Sequence, residues 1–173
     1  MNALHTRPLS FAAEQRQEID RLLLRLADKI SAPLVLVADV SGRLILYRGR
    51  LSSSQSTALA ALAAGSFAAG FEMGNFLGLR GKNAFRHQLH EGTAANLYTL
   101  AIGQELLLVV TFTGQTTLGL VRVYAEQTQR DLMKVVQVAS VQRDLEMANP
   151  TALEGKDEFG DQVRQQLDDL FSI

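Results

Sequence analysis

Residues 51–79 read LSSSQSTALAALAAGSFAAGFEMGNFLGL and hold one charged side chain, Glu72. Their alanine density predicts a long helix over Ser56–Leu79. A surface helix normally carries charge on its outer face, and this one carries almost none. On a wheel of 3.6 residues per turn, Leu59, Leu62, Met73 and Leu77 can face a sheet, while Phe67 and Phe71 point about 100° away from them. The rest of the cylinder is Ala, Gly and Ser, and Gly70, Gly74 and Gly78 recur every four residues, as where another backbone approaches closely. Three readings compete: a membrane span, a helix buried within its own monomer, and a helix covering a sheet with one face and a partner subunit with another. The length suits a span, but Glu72 and the many alanines and glycines weigh against insertion. The third reading is favoured, because an uncharged apolar face of this size marks an interface.

The sequence on either side supplies the sheet. Leu34–Ala38 is a run of strand formers, Asp39-Val40-Ser41-Gly42 has turn chemistry, and Leu44–Tyr47 completes a hairpin that Gly49 and Ser52–Ser54 close. After the helix, Gly81-Lys82 breaks the chain. Asn83–Leu89 then alternates as a strand, with Phe85, His87 and Leu89 on one face and Ala84, Arg86 and Gln88 on the other. His90-Glu91-Gly92 reads as a turn, and Ala94–Ile102 and Glu105–Thr113 as strands joined across Gly103-Gln104. An amphipathic helix precedes the sheet over Ser10–Ile30, with Ser10 as its N-cap, Ile19, Leu22, Leu23, Leu26 and Ile30 as its apolar stripe, and Pro33 beyond its end. A last helix runs over Thr117–Ala148 with the stripe Val121, Tyr124, Thr128, Leu132, Val135 and Ala139, and Asn149-Pro150 stops it. Strands joined by such short loops are antiparallel, since parallel neighbours need long crossovers. The class is therefore α+β, a five-stranded antiparallel sheet covered by helices. Asn83–Leu89 is an edge strand that a twin can extend across a two-fold axis.

Composition excludes several functions. The chain has 173 residues, a formal net charge of −1 and 47% hydrophobic residues. A near-neutral balance and a pI near 6.3 argue against a nucleic-acid binder. Cysteine is absent, which removes disulfides, thiol nucleophiles and thiolate metal sites. The N-terminal residues lack the apolar run of an export signal. Residues 150–173 carry six acidic side chains against Lys156 and Arg164, and Phe159, Val163, Leu167, Leu170 and Phe171 fall at helical spacing there.

No constellation of catalytic residues stands out. Gly81-Lys82 lacks the P-loop frame, because position 76 is Phe76, position 83 is Asn83, and the helix precedes the pair. His87, His90 and Glu91 do not have the zinc-protease order; they read as a strand-face histidine and a turn. No G-x-S-x-G elbow occurs.

Four segments carry a family resemblance. LVLVADVSG at 34–42, the Ala-rich helix at 59–79, the strand at 106–113 and LGLVR at 118–122 resemble the roadblock / dynein light chain family. GKNAFRHQLHEG at 81–92 and LDDL at 167–170 resemble its bacterial gliding-motility type more narrowly. The resemblance covers residues 15–148 and the tail. It implies a five-stranded antiparallel sheet with the long helix on one side and the N- and C-terminal helices on the other, an outline shared with profilin. It also implies a homodimer joined through the long helix and the third strand. Such a dimer binds a GTP-loaded Ras-like small GTPase and raises its hydrolysis rate, with no nucleotide site of its own.

The expected organisation is a mobile N-terminus at 1–14, a roadblock-like domain at 15–148, and a linker with an acidic amphipathic tail helix at 149–173. The expected partner or dimer surface comprises Leu59, Ala60, Ala63, Ala64, Phe67, Phe71, Asn75, Phe85, Arg86, His87 and Gln88. The exposed side of the helix is taken as Ala60, Ala64, Phe67, Phe71 and Asn75, and the tail contributes Phe159, Val163, Leu167, Leu170 and Phe171. No cofactor, metal, nucleic acid, membrane insertion or catalytic residue is expected, and the setting is cytoplasmic, in cell polarity or motility. An arginine supplied in trans is worth about 10³–10⁵ in GTPase rate, and Arg48, Arg50, Arg80 and Arg86 lie at loop or edge positions. The resemblance implies instead that the dimer reshapes the GTPase, so none is named catalytic. Two other readings stand beside this one. One is a roadblock homodimer serving only as a scaffold. The other is a profilin-like sensor, which needs a polar-lined pocket between helix and sheet, where the small residues of the helix imply close packing instead.

Overall fold

A computed structural model describes residues 9–81 and 84–148, with side chains to 144. The chain divides into a unit of Phe11–Gln137 and another of Met1–Ser10 with Val138–Ile173. The larger unit holds the sheet. Its elements run α1 (Ala13–Ile30), β1 (Leu34–Asp39), β2 (Leu44–Gly49), α2 (Ser53–Phe76), β3 (His87–His90), β4 (Asn96–Ile102) and β5 (Leu106–Phe112), followed by α3 (Leu118–Ala148). The five strands form one antiparallel sheet in the order β2-β1-β5-β4-β3.

Side chains alternate across the sheet, so cross-strand partners share a face. Leu34, Leu36 and Ala38 of β1 and Val109 of β5 pack with Ala60 and Ala63 of α2. Val35 opposes Arg48 on the other face, where Arg48 pairs with Asp20 of α1. Val35 is also in register with Val110 and through it with Tyr98, whose fully buried phenol feels Arg122 and Glu126 of α3. Helix α2 therefore covers one face, and α1 and α3 cover the other, as the family resemblance implies.

Helix boundaries follow local chemistry. α1 buries Ile19, Leu22, Leu23, Leu26 and Ile30, the predicted stripe. Each such side chain contributes about 1.5–3 kcal/mol on leaving water. Its N-cap is Ala12 rather than Ser10, because the Gln15 side chain turns back and accepts from the Ala12 amide at 2.9 Å. Ser31 ends it in the left-handed region at φ 49°, just before Pro33. α2 starts three residues earlier than predicted, at Ser53. Ser52 and Gln55 form a reciprocal capping box, with Gln55 N donating to Ser52 Oγ at 3.2 Å and Ser52 N to Gln55 Oε1 at 3.0 Å. It ends at Phe76, beyond which Gly78 takes φ 74°. On α3, Val121, Thr128 and Leu132 are buried as predicted, but Ala125 and Val136 replace Tyr124 and Val135, which are half-buried.

Strand β3 departs most from the prediction. It occupies His87–His90, so His90 belongs to the strand and not to a turn. Among the described residues one further backbone bond extends it toward the N-terminus, from Ala101 N to Arg86 O at 2.9 Å.

The β1–β2 turn is organised by Asp39. Its Oδ1 accepts from Ser41 N at 3.0 Å, Ser41 Oγ at 2.6 Å and Arg43 N at 2.9 Å, and Oδ2 accepts from Arg43 Nε at 2.9 Å. Burial pushes the Asp39 carboxyl up, but the Ser41 and Arg43 donors outweigh it and hold the group below its ordinary value. A lowered folded-state value adds stability above the unfolded Asp range, near pH 4, which is lost as pH falls through the folded value. Asp39→Asn should therefore cost roughly 1–2 kcal/mol at pH 7. It should also flatten the acid limb of a chemical-denaturation pH series; an unchanged limb would remove Asp39 from that role.

Candidate functional site: the outer face of α2 and the β3 edge

The two faces of α2 are sorted by size. Ser56, Ala60, Ala63, Ala64, Gly70 and Gly74 are buried, forming a stripe of small residues against the sheet and β3. Exposed outward are Leu62 at 71%, Met73 at 58%, Phe76 at 92% and Leu77 at 70% of their surface. This reverses the expected arrangement: Leu62, Met73 and Leu77 do not face the sheet, and only Leu59 of that group packs partly against the core. Ala60, Ala63 and Ala64, expected at a partner surface, lie inside the monomer. The reason is distance. A helix lined by alanine and glycine comes close to a sheet, so the bulky residues of an all-apolar helix are left outside.

The glycines are explained within the monomer as well. A Cβ on Gly70 would lie 1.9 Å from Gln88 Nε2, and one on Gly74 would lie 3.4 Å from the Phe85 ring. Gln88 lies over Gly70 and donates to the Ser66 carbonyl at 3.0 Å, and Ser66 Oγ lies 3.3 Å from His90 Nε2. These contacts tie β3 to α2. Phe85 turns toward α2, whereas His87 turns to the opposite face and sets its ring 5.7 Å from that of Tyr98. Phe85 and His87 therefore do not share a face, because residue 85 precedes the strand and the alternation does not reach it.

The other expected positions are distributed as follows. Asn75 is half-buried and its side chain donates to Glu72 at 3.4 Å. Phe71, Phe85 and Arg86 are exposed and Phe67 is half-buried; all four line a cleft of about 1100 Å³ between α2, the β4–β5 turn and α3. The close packing expected along α2 thus stops short of this end. Phe159, Val163, Leu167, Leu170 and Phe171 lie outside the described residues. Leu62, Phe76, Met73 and Leu77 form the exposed apolar face that sequence reasoning missed or turned inward. The signal that finds it is side-chain volume.

The two sheet edges differ. At β2, Arg16 Nη2 donates to the Ile45 carbonyl at 3.2 Å and Arg48 pairs with Asp20, which ties that edge to α1 and occupies one of the four candidate arginines. At β3 the described residues include no such cover on the outer side. Among the described residues no cluster of three metal-ligating side chains occurs, and no helix is long and apolar enough to cross a membrane.

The Roadblock/LC7 domain model matches residues 18–112, which span the sheet and both α1 and α2. This chain belongs to the Roadblock/LC7 family. Among solved structures it is similar to Myxococcus xanthus MglB, with 33% identity and a TM-score of 0.65 over 70% of this chain and 96% of that one. It shares its fold with an MglB described as having a tetrameric arrangement, at 22% identity and a TM-score of 0.68 over 79% and 99% of the two chains. A third neighbour is the gliding protein MglB of Thermus thermophilus, at 22% identity and a TM-score of 0.67 over 78% and 98%. No curated protein sequence matches the chain. The roadblock domain is a regulatory module.

The Gln88 tie gives a direct test. Ala at position 70 gains about 1 kcal/mol of helix propensity over Gly, but its methyl group displaces the Gln88 amide. Gly70→Ala should fold with little net change in stability and speed amide exchange at His87–His90. Gln88→Ala should speed the same amides and cost about 1 kcal/mol. Unchanged exchange in both variants would mean that the tie does not hold the edge.

Proposed function

We propose that the chain is a homodimeric, non-catalytic regulator that binds the GTP-loaded form of a Ras-like small GTPase and stimulates its GTP hydrolysis, in the cytoplasm of a bacterium and in cell polarity or gliding motility. The observation that carries this reading is the 33% identity to Myxococcus xanthus MglB across the folded domain. The exposed face of Leu62, Met73, Phe76 and Leu77 supports the self-association part. Met73, Phe76 and Leu77 cluster at the C-terminal end of the helix and Leu62 lies three turns before them on the same side, uncharged bulky surface of a kind that water-exposed monomers seldom keep. The open β3 edge lies beside α2, so a second copy can add its own β3 to the sheet while its helix covers that patch.

The GTPase is then met by surfaces that the dimer creates, together with the tail residues Phe159, Val163, Leu167, Leu170 and Phe171 as a helix-in-groove segment. The chain supplies no nucleotide-binding loop and, on this reading, no catalytic arginine; it acts by aligning the GTPase's own groups, which is where most of the barrier to phosphoryl transfer is lowered.

Light scattering after size exclusion tests both parts. The chain alone should run at twice its monomer mass. Leu62→Glu with Met73→Glu should stay folded and run as a monomer, whereas Ala60→Glu should unfold by burying a charge against the sheet. Mixed with the Ras-like GTPase encoded nearest its gene, the chain should co-elute at two copies per GTPase with a non-hydrolysable GTP analogue and not with GDP. A dimer indifferent to the GTPase in both states would leave the scaffold reading in place.

A further inference from the structure

We propose that the cleft between α2, the β4–β5 turn and α3 is a binding site for a single-chain amphipathic molecule with an anionic head, such as an aliphatic carboxylate. The walls are apolar. Phe67 and Phe71 come from α2, Phe85 from the segment before β3, and Met133 from α3. The volume of about 1100 Å³ is at the upper end of ordinary small-molecule sites. Three aromatic rings on two separate segments converge there, and two of them, on Phe71 and Phe85, are left exposed by the monomer's own packing.

The head group is specified by charge. Arg86 and Gln129 also line the cleft, and both are pinned to the same residue of β4. Ala101 N donates to the Arg86 carbonyl at 2.9 Å, and Gln129 Nε2 donates to the Ala101 carbonyl at 2.6 Å. Gln129 keeps a second amide N–H. The Arg86 guanidinium has no acidic partner within 4.0 Å among the described residues, although Glu72 lies on the same cleft and Glu126 on the groove beside it. An arginine without an acidic partner and a spare amide donor lining the same cleft suit a carboxylate, which can accept from both. An apolar chain then replaces water along the phenylalanines. The site does not use Leu62, Met73, Phe76 or Leu77.

Titration calorimetry on the full chain tests this with three probes of equal chain length, each below its micelle concentration: dodecanoate, dodecanol and dodecyltrimethylammonium. One dodecanoate per chain should bind saturably, and the cationic probe about tenfold or more weakly, the difference one charge-assisted contact makes. Arg86→Gln should bring the three probes to similar affinity. Ala68→Trp, at an exposed helix position that also lines the cleft, should block all three, and the chain has no other tryptophan to mask its fluorescence. Absence of saturable binding, equal affinity for anion and cation in the native chain, or binding that survives Ala68→Trp would each overturn the proposal. Dimer mass and GTPase co-elution are read separately, so failure of this site and failure of the regulatory reading are distinguishable.

Discussion

The close seat of α2 on the sheet governs the rest of the molecule. Ala60 and Ala63 pack against β1 and β5 with almost no exposed surface, and Leu59 reaches the same cluster only in part. That seat has two consequences. The large apolar side chains of α2 have no room beneath the helix and are left outside, where they form the patch of Leu62, Met73, Phe76 and Leu77. Farther along the helix, Gly70 and Gly74 leave space for Gln88 and Phe85, which draw the β3 segment against α2. One packing choice thus produces both the exposed helix face and the position of the exposed strand edge.

Where polarity alternates with structure, the sequence is readable. The stripe of α1 is separated by charges, so Ile19, Leu22, Leu23, Leu26 and Ile30 can face only inward, and they do. The hairpins β1–β2, β3–β4 and β4–β5 are read from short turns between strand-forming runs, and their antiparallel direction follows from loop length. In α2 the polarity signal vanishes. A helix that is apolar all round does not say which side is inside. Ranking its residues by hydrophobicity puts Leu62, Met73 and Leu77 against the sheet, and ranking them by volume puts them outside. For Leu62, Met73 and Leu77 the structure follows volume, because interiors are packed to crystal-like density and the alanine seat leaves them no room, while Leu59 packs in part.

The β3 segment fails for a related reason. Its alternation from Asn83 to Leu89 is regular, yet only His87–His90 joins the sheet. Phe85 gains more by covering Gly74 than by staying in register with His87, so the face assignment holds from residue 87 onward and is inverted at 85. The capping boundary of α2 was legible in principle. Ser52 followed by Gln55 is the ordinary sequence mark of a helix start, and the helix begins where that pair places it.

These facts bear on how the domain can meet another protein on the reading proposed above. An open β3 edge on its own invites indiscriminate strand pairing. Here the edge is tied to α2 by Gln88 and Ser66, and on the proposed reading a second copy has to match a strand and a helix face together. Two simultaneous requirements raise specificity, because a partner that satisfies only one leaves the other surface in water. The apolar outer face of α2 is thus the counterpart of its tightly seated inner face: small residues fix the helix in place, and the residues too large to fit beneath it are left exposed.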